Sequence, residues 1–358
     1  MRRKTQQCAP GHSRTGTLDP ALARRVAAAA LAVAVLIVGG GCGGQHASSS
    51  SVRCNETTAP CSRRLDAVFF PGTHNSFAAS DEPGWYFANQ TYPISRQLDD
   101  GIRALLIDVH FGVYDPSSGR VRTDLRAEGS DRNKVAEQVP AQALRVADKV
   151  AGGVGQGTLH GTPAPYLCHT LCELGAEPLD RELGVMRAFL EHHPDQVLIV
   201  IVEDYVPPVT IERAFQSAGL TRYVATLDRH APLPTLGELI AGGRRLLVFA
   251  EEKGGSPAWY MPAFAFIQDT PLGALHPGQL SCDRYRGEKT SPMLLINHWI
   301  PPFPPSPTLN REIGRVAFLR RRIEGCKRER GIGGAIIAVD FYERTSVVEL
   351  AKALNGRP

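Results

Sequence analysis

Residues 197–204 read VLIVIVED, six apolar residues in a row closed by two acids. A strand with one wet face alternates apolar and polar side chains. An unbroken apolar run is a strand covered on both faces, as in a parallel sheet wrapped by helices. The pattern returns at Leu246–Ala250 (LLVFA) and Ala335–Val339 (AIIAV), and Ala67–Phe70, Ala104–Val109, Tyr166–Cys168, Arg222–Thr226 and Met293–Ile296 bring the candidate strands to eight. Helical patterning lies between them, for example at Pro178–His193, Thr210–Ala218 and Leu309–Arg322. This alternation predicts an α/β chain folded as a single-domain TIM-type (β/α)8 barrel, with a doubly wound open sheet as the alternative.

The residues that close each run carry the chemistry. The first run leads into Gly72-Thr73-His74-Asn75, the second ends Asp108-Val109-His110, and the third meets His169. Glu203-Asp204, Glu251-Glu252, Asn297-His298 and Asp340 follow the fourth, sixth, seventh and eighth. In a parallel barrel these ends form one rim around a pocket. Two histidines among carboxylates suit acid–base work near neutral pH, where imidazole both takes and gives a proton. Asn75, Asp108 and Glu203 add hard oxygen donors of the kind Ca²⁺ or Mg²⁺ takes. Asp340 could orient one of the histidines. His110 and His298 could take part or simply form a wall. The chain has no GxxxxGKS/T loop, HExxH helix or GxSxG elbow, so nothing in it supports ATP-driven, zinc-helix or serine-nucleophile chemistry. Trp85, Trp259 and Trp299 each lie just after a candidate strand, where they could meet a lipid surface or pack over the pocket.

The segment 61–77, CSRRLDAVFFPGTHNSF, with Gln97–Arg103 (QLDDGIR) and LLIDVH after it, resembles the catalytic X region of phosphatidylinositol-specific phospholipase C. LCHTLCELG, VLIVIVEDY, LLINHW and AIIAVDFYE extend the resemblance over residues 54–352, and it looks nearest to the secreted single-domain microbial members. The resemblance implies a TIM-type barrel that cleaves a phosphodiester, with His74 as general base and His169 as general acid. It also implies Ca²⁺ held by Asn75, Asp108 and Glu203. The family's metal-using members read G-x-R-x-L-E-x-D at the second strand. Here Gly101–Asp108 keeps the aspartate and has Leu106 in place of the glutamate. The alternative from another class is a non-catalytic phosphate- or sugar-binding protein on the same barrel, and the loss of that glutamate is its support.

The amino-terminal stretch reads as an export signal. Arg24-Arg25 precede the apolar run Val26–Val38, too short to span a bilayer, and Gly39-Gly40-Gly41-Cys42 follows. This resembles a bacterial lipoprotein signal, residues 1–41, with Cys42 lipidated onto the cell membrane. Gly39 replaces the usual leucine, so simple secretion is the alternative, with a retained membrane anchor behind it. Residues 43–53, GGQHASSSSVR, form a flexible Gly/Ser tether to the barrel at 54–358. Six basic residues against one acid in 1–41 account for more than the whole net charge of +4, which leaves the remainder slightly acidic. A nucleic-acid footprint is therefore absent. The expected partners are a phospholipid or other phosphodiester and, through Cys42, a membrane surface; a monomer is expected. Of the six cysteines after Cys42, proximity pairs Cys54 with Cys61 and Cys168 with Cys172, leaving Cys282 for Cys326. A zinc site at Cys168-His169-x-x-Cys172 is the rival, and it lacks a second ligand cluster.

Overall fold

The computed structural model describes residues 53–55, 57–301 and 303–356. The export signal, Cys42 and nearly all of the tether lie outside them. Eight parallel strands follow in chain order: β1 (Phe69–Thr73), β2 (Ala104–Asp115), β3 (Leu198–Asp204), β4 (Leu246–Ala250), β5 (Tyr260–Pro262), β6 (Ile267–Asp269), β7 (Met293–Asn297) and β8 (Ala335–Val339). Their order across the sheet is β5-β4-β3-β2-β1-β8-β7-β6, with every ladder parallel. Chain neighbours are thus sheet neighbours at every step but β5 to β6, and β8 pairs back onto β1, the winding of a (β/α)8 barrel. The seam falls between β5 and β6, where no ladder runs among the described residues and the chain crosses through the one-turn helix Ala263–Phe266.

Two expected strands are something else. Arg222–Thr226 holds the end of a 3₁₀ turn, Leu220–Arg222, and a lone bridge from Val224 to Leu246. Tyr166–Cys168 falls on Ala164–Leu167, which runs antiparallel to β2. The reason is the length of β2: its twelve residues overshoot the barrel, and the overhang pairs with Ala164–Leu167 and Arg120–Thr123. The two barrel strands missed from the sequence, β5 and β6, have three residues each, too short to show a period. Helix Leu179–His192 matches expectation closely, whereas the expected helix at Leu309–Arg322 is two, Pro307–Ile313 and Val316–Arg330, broken at Gly314. Among the described residues no helix is long and apolar enough to cross a membrane.

Alternate strand residues belong to different cores, as the pleat requires. Leu105, Ile107, Val200, Val202, Val248 and Val339 pack outward with helix residues Leu183, Met186 and Phe215. Phe70, Leu106, Ile201, Phe249, Leu295 and Ala338 fill the interior. Continuing the inward parity by two residues gives Asp108, Glu203, Glu251, Asn297 and Asp340, and continuing it by four from Phe70 gives His74. The hydrophobic plug thus ends where the polar rim begins. At Gly72, between Phe70 and His74, a Cβ would stand 3.0 Å from that of Ala104, so glycine sets how closely β1 approaches β2.

All three expected cysteine pairings are disulfides: Cys54–Cys61, Cys168–Cys172 and Cys282–Cys326. Cys168 and Cys172 are bonded to each other, which removes the thiolates that the zinc alternative required.

Candidate active site

His74 sits just past β1 and is held from three sides. Its backbone N–H donates to Val339 O at 3.0 Å, and the buried Gln90 amide donates to His74 O and Val339 O at 2.7 and 3.0 Å. Its ring lies flat on Trp299, centroids 3.9 Å apart. Its Nδ1 meets Asp340 Oδ1 at 2.8 Å. The second Asp340 oxygen accepts from Asn89 Nδ2 at 3.1 Å, and Asn89 Oδ1 accepts from Asn75 Nδ2 at 3.1 Å. This polar chain, buried except at His74, fixes the His74 tautomer. A carboxylate at Nδ1 keeps the proton there and leaves Nε2 as the basic atom.

His169 faces His74 edge-on, with ring centroids 6.3 Å apart. It stands in the loop closed by the Cys168–Cys172 disulfide, after the antiparallel strand on the β2 overhang rather than after a barrel strand. The two histidines therefore meet although they do not end neighbouring barrel strands. Crowding by protein, then the imidazoles of His74 and His110, lowers the His169 pKa to about 4. His169 is exposed at the edge of a cavity and is neutral at pH 7.

The backbone marks these positions. Among the described residues, four that are not glycine have positive φ, and three directly follow His74, His169 and Asp340: Asn75 (44°), Thr170 (62°) and Phe341 (47°). A left-handed β-branched or aromatic residue is costly, and such strain persists only where its surroundings enforce it.

His74 divides two cavities. One, of about 220 Å³, is mainly apolar and bounded by Trp85, Phe87, Val139, Leu174 and Phe303, with His169 at its edge. The other, of about 100 Å³, is polar, with Asp108, Glu203, Glu251, Arg286 and Asn297 around it and Trp299 beside His74. Burial, reinforced by Glu203 and Glu251, raises the Asp108 pKa well above the usual carboxylate range. Burial likewise pushes Glu251 up to about 7, against the pull of Arg286 at 2.6 Å. Arg286 is also bound to Asp269 at 2.7 Å, and Glu203 accepts from Tyr205.

A family model described as PI-PLC X 1 matches residues 135–355, more than half of the chain. The chain belongs to the PI-PLC X family. The match takes in His169, Glu203 and Asp340 and begins after His74, Asn75 and Asp108. A PI-PLC X domain-containing protein 1 of Arthroderma benhamiae is 24% identical over 85% of this chain and 89% of its own length. An uncharacterized secreted protein of the same fungus is 25% identical over 61% of this chain, which spans only 40% of that relative. A PI-PLC X domain-containing protein of Arabidopsis thaliana is 24% identical over 79% of this chain and 61% of its own length. Among solved structures, the phosphatidylinositol-specific phospholipase C of Listeria monocytogenes aligns with 86% of this chain and 100% of its own, with a TM-score of 0.48 and 14% identity.

Of the metal ligands expected in this PI-PLC X chain, Asp108 and Glu203 share the polar cavity, whereas Asn75 does not line it. Asn75 follows His74, so it is off the inward parity, and its amide nitrogen donates to Asn89. Among the described residues no three His, Cys, Asp or Glu side chains converge as they stand, with Glu203 turned to Tyr205 and Glu251 to Arg286. His298 is structural: it bonds Arg322 through Nδ1 at 3.0 Å and Ile313 O through Nε2 at 3.1 Å. His110 stacks on Tyr205 at 4.0 Å and bonds Glu128 at 3.0 Å. Trp85 and Trp299 line the cavities, whereas Trp259 packs on Phe215 in the outer core. Asn89, Glu128 and Arg286 escaped the sequence reading because they lie in loops, where no period marks them.

Proposed function

We propose that this protein is an exported phosphodiesterase that cleaves a glycerophospholipid-type diester, with His74 as general base and His169 as general acid. The observation that carries this is the position of His74, whose Nδ1 is fixed by Asp340 while its ring stands between a polar cavity and an apolar one. A lipid phosphodiester has that shape: a polar head on one side of phosphorus and an apolar alcohol on the other. His74 Nε2 would take the proton of the attacking hydroxyl, supplied by the head group or by water. The new P–O bond forms as the bond to the apolar alcohol breaks, and His169 protonates the departing oxygen. A neutral His169 must first gain that proton, and the anionic phosphate favours the gain by its charge. Calcium is the expected cofactor, with oxygen ligands among the residues of the polar cavity; when bound it would neutralise charge on the phosphoryl oxygens.

Three disulfides in the barrel support export, because such bonds persist in oxidising compartments. A basic, apolar leader ending at Cys42 supports a lipid-anchored or secreted form. The test is release of phosphorylated head group from phospholipid vesicles by the purified protein. His74→Ala and His169→Ala should each lower turnover by about 10²–10⁴. Vesicle binding without turnover in the parent protein would favour a binding role instead.

A further inference from the structure

We infer that the apolar cavity is a subsite for one hydrocarbon chain, which makes the substrate a single-chain phosphodiester of the lysophospholipid type rather than a two-chain lipid. The inference rests on the phosphodiesterase reading, which puts phosphorus at His74 and His169 on the edge of this cavity. Much of its wall comes from outside the barrel. Val139, Pro140 and Ala143 belong to an insertion between the strands Arg120–Thr123 and Ala164–Leu167, whose helices are Arg132–Gln138 and Ala141–Ala151. The insertion is tied down at three places. Glu128 accepts from Phe111 N at 2.9 Å and bonds His110 Nδ1 at 3.0 Å, which fastens it to β2. The buried Glu173 carboxylate accepts from Thr123 N and Oγ1 at 3.0 and 2.8 Å, which fastens it to the chain just after the disulfide loop. Arg132 binds Asp148 at 2.7 Å and Val154 O at 2.9 Å, which holds the two helices together. The cavity they bound is therefore built to a fixed size.

Ala143, Leu171 and Leu174 belong both to the cavity wall and to the insertion's own hydrophobic cluster, so the void is a gap within one apolar cluster. Packed interiors leave few voids larger than a water molecule, and an apolar gap well above that size takes apolar molecules. The polar groups around it are few. Asn89 is occupied on both its atoms, by Asp340 and Asn75, and the two histidines face phosphorus. That leaves Gln138 and Thr170. A sugar or a peptide would bury many polar groups here without partners, whereas a hydrocarbon chain buries none. Size then sets the number of chains. A cavity of roughly 150 Å³ holds a six-carbon ring, so one of about 220 Å³ holds about nine carbons. That accommodates much of one chain and excludes a second.

Binding can be read without turnover. n-Alkyl phosphates of four to fourteen carbons, each below its micelle concentration, are titrated calorimetrically into the full chain. The dissociation constant should fall about fourfold for each added methylene, up to about nine carbons, and then level off. Dioctyl phosphate, which carries a second chain, should bind within about twofold of octyl phosphate. Ala143→Leu adds about three carbons to the wall and should end the gain about three carbons earlier. Val139→Phe should shift it the same way and covers the case in which Ala143→Leu fails to fold. The inference falls if affinity is flat across the series or still rising at fourteen carbons. It falls equally if both variants leave the plateau in place, or if dioctyl phosphate binds more than about tenfold tighter than octyl phosphate. A plateau in a protein that cleaves neither lysophospholipid nor diacyl lipid would sink the phosphodiesterase reading and leave the chain site standing. Cleavage of diacyl lipid in vesicles with no plateau would do the reverse.

Discussion

Replacing Asp340 with asparagine tests the proposed role of His74 as base, because the change is isosteric and the consequence is electronic. Asp340 accepts twice, from His74 Nδ1 at 2.8 Å and from Asn89 Nδ2 at 3.1 Å. An amide in its place has one acceptor and one donor. With its oxygen toward His74, its nitrogen confronts the Asn89 nitrogen. Asn89 can relieve that only by flipping, which turns its nitrogen on the Asn75 amide, the present donor to Asn89 Oδ1 at 3.1 Å. With its nitrogen toward His74 instead, Nδ1 must become the acceptor, and the proton moves to Nε2. The second arrangement satisfies Asn89 and Asn75 without rearrangement and leaves His74 with no basic atom facing the cavities. The wrong tautomer in a carboxylate–imidazole pair costs roughly 10³–10⁴ in kcat, or about 4–5.5 kcal/mol of barrier. KM should change little, because Asp340 lines neither cavity. The assay is kcat and KM on a phospholipid diester, with ¹⁵N shifts of His74 reporting the tautomer independently of turnover. An Asp340→Asn protein within tenfold of the parent, or one whose Nε2 stays unprotonated, would refute the reasoning.

Two other substitutions probe the frame. Burial pushes Glu182 up to about 7, against the favourable charge of Arg181, with Glu177 and Glu82 adding to the rise. Its folded pKa thus lies above the unfolded value, and the folded state holds more protons between pH 4.5 and 7, so Glu182 costs stability as pH rises through that window. Glu182→Gln should therefore stabilise by on the order of 3 kcal/mol at pH 8 and by almost nothing at pH 4, read from urea midpoints. Equal effects at both pH values would exclude this account. Thr170 holds φ at 62°, where a β-branched residue is strained. Thr170→Gly should raise the melting midpoint, with a gain of up to about 1 kcal/mol, and lower turnover by loosening His169. A less stable variant would show that Thr170 is not strained.

Much of this was legible because a barrel strand writes its burial into the sequence twice. The unbroken runs LIVIV and AIIAV announced coverage on both faces, and their last residues announced the rim. His74, Asp108, Glu203 and Asp340 follow from that alone. What failed to show had physical reasons. β5 and β6 have three residues each and are strands only because β4 and β7 present edges for them. The overhang of β2 is set by pairing with distant segments, so the run at Tyr166–Cys168 read as one more barrel strand when it is a rib on an existing one. Asn75 follows a histidine in the expected order, takes a left-handed backbone, donates its Nδ2 to Asn89 and does not line the polar cavity.

Leu106 offers a direct test of the parity argument. It is 7% exposed, packs in the inner core and lines the polar cavity, two residues before Asp108 on the same face of β2. Leu106→Glu therefore places a fourth carboxylate at the cavity, beneath Asp108 and beside Ile201. Without a cation the new acid lies against an apolar floor and next to a buried acid. The variant should then be less stable by on the order of 2–4 kcal/mol, the range for burying an unpaired charge that can still take up a proton. If the cavity takes Ca²⁺, as proposed, the same carboxylate becomes a ligand. Binding to the folded state alone adds stability as RT ln(1 + [L]/Kd), about 2.7 kcal/mol at a hundred times Kd. Most of the loss should therefore return on adding calcium, and the calcium-induced rise in melting midpoint should exceed that of the parent. Thermal denaturation of both proteins across a calcium series reads this directly. If Leu106→Glu melts at the same temperature with and without calcium, position 106 faces no calcium site.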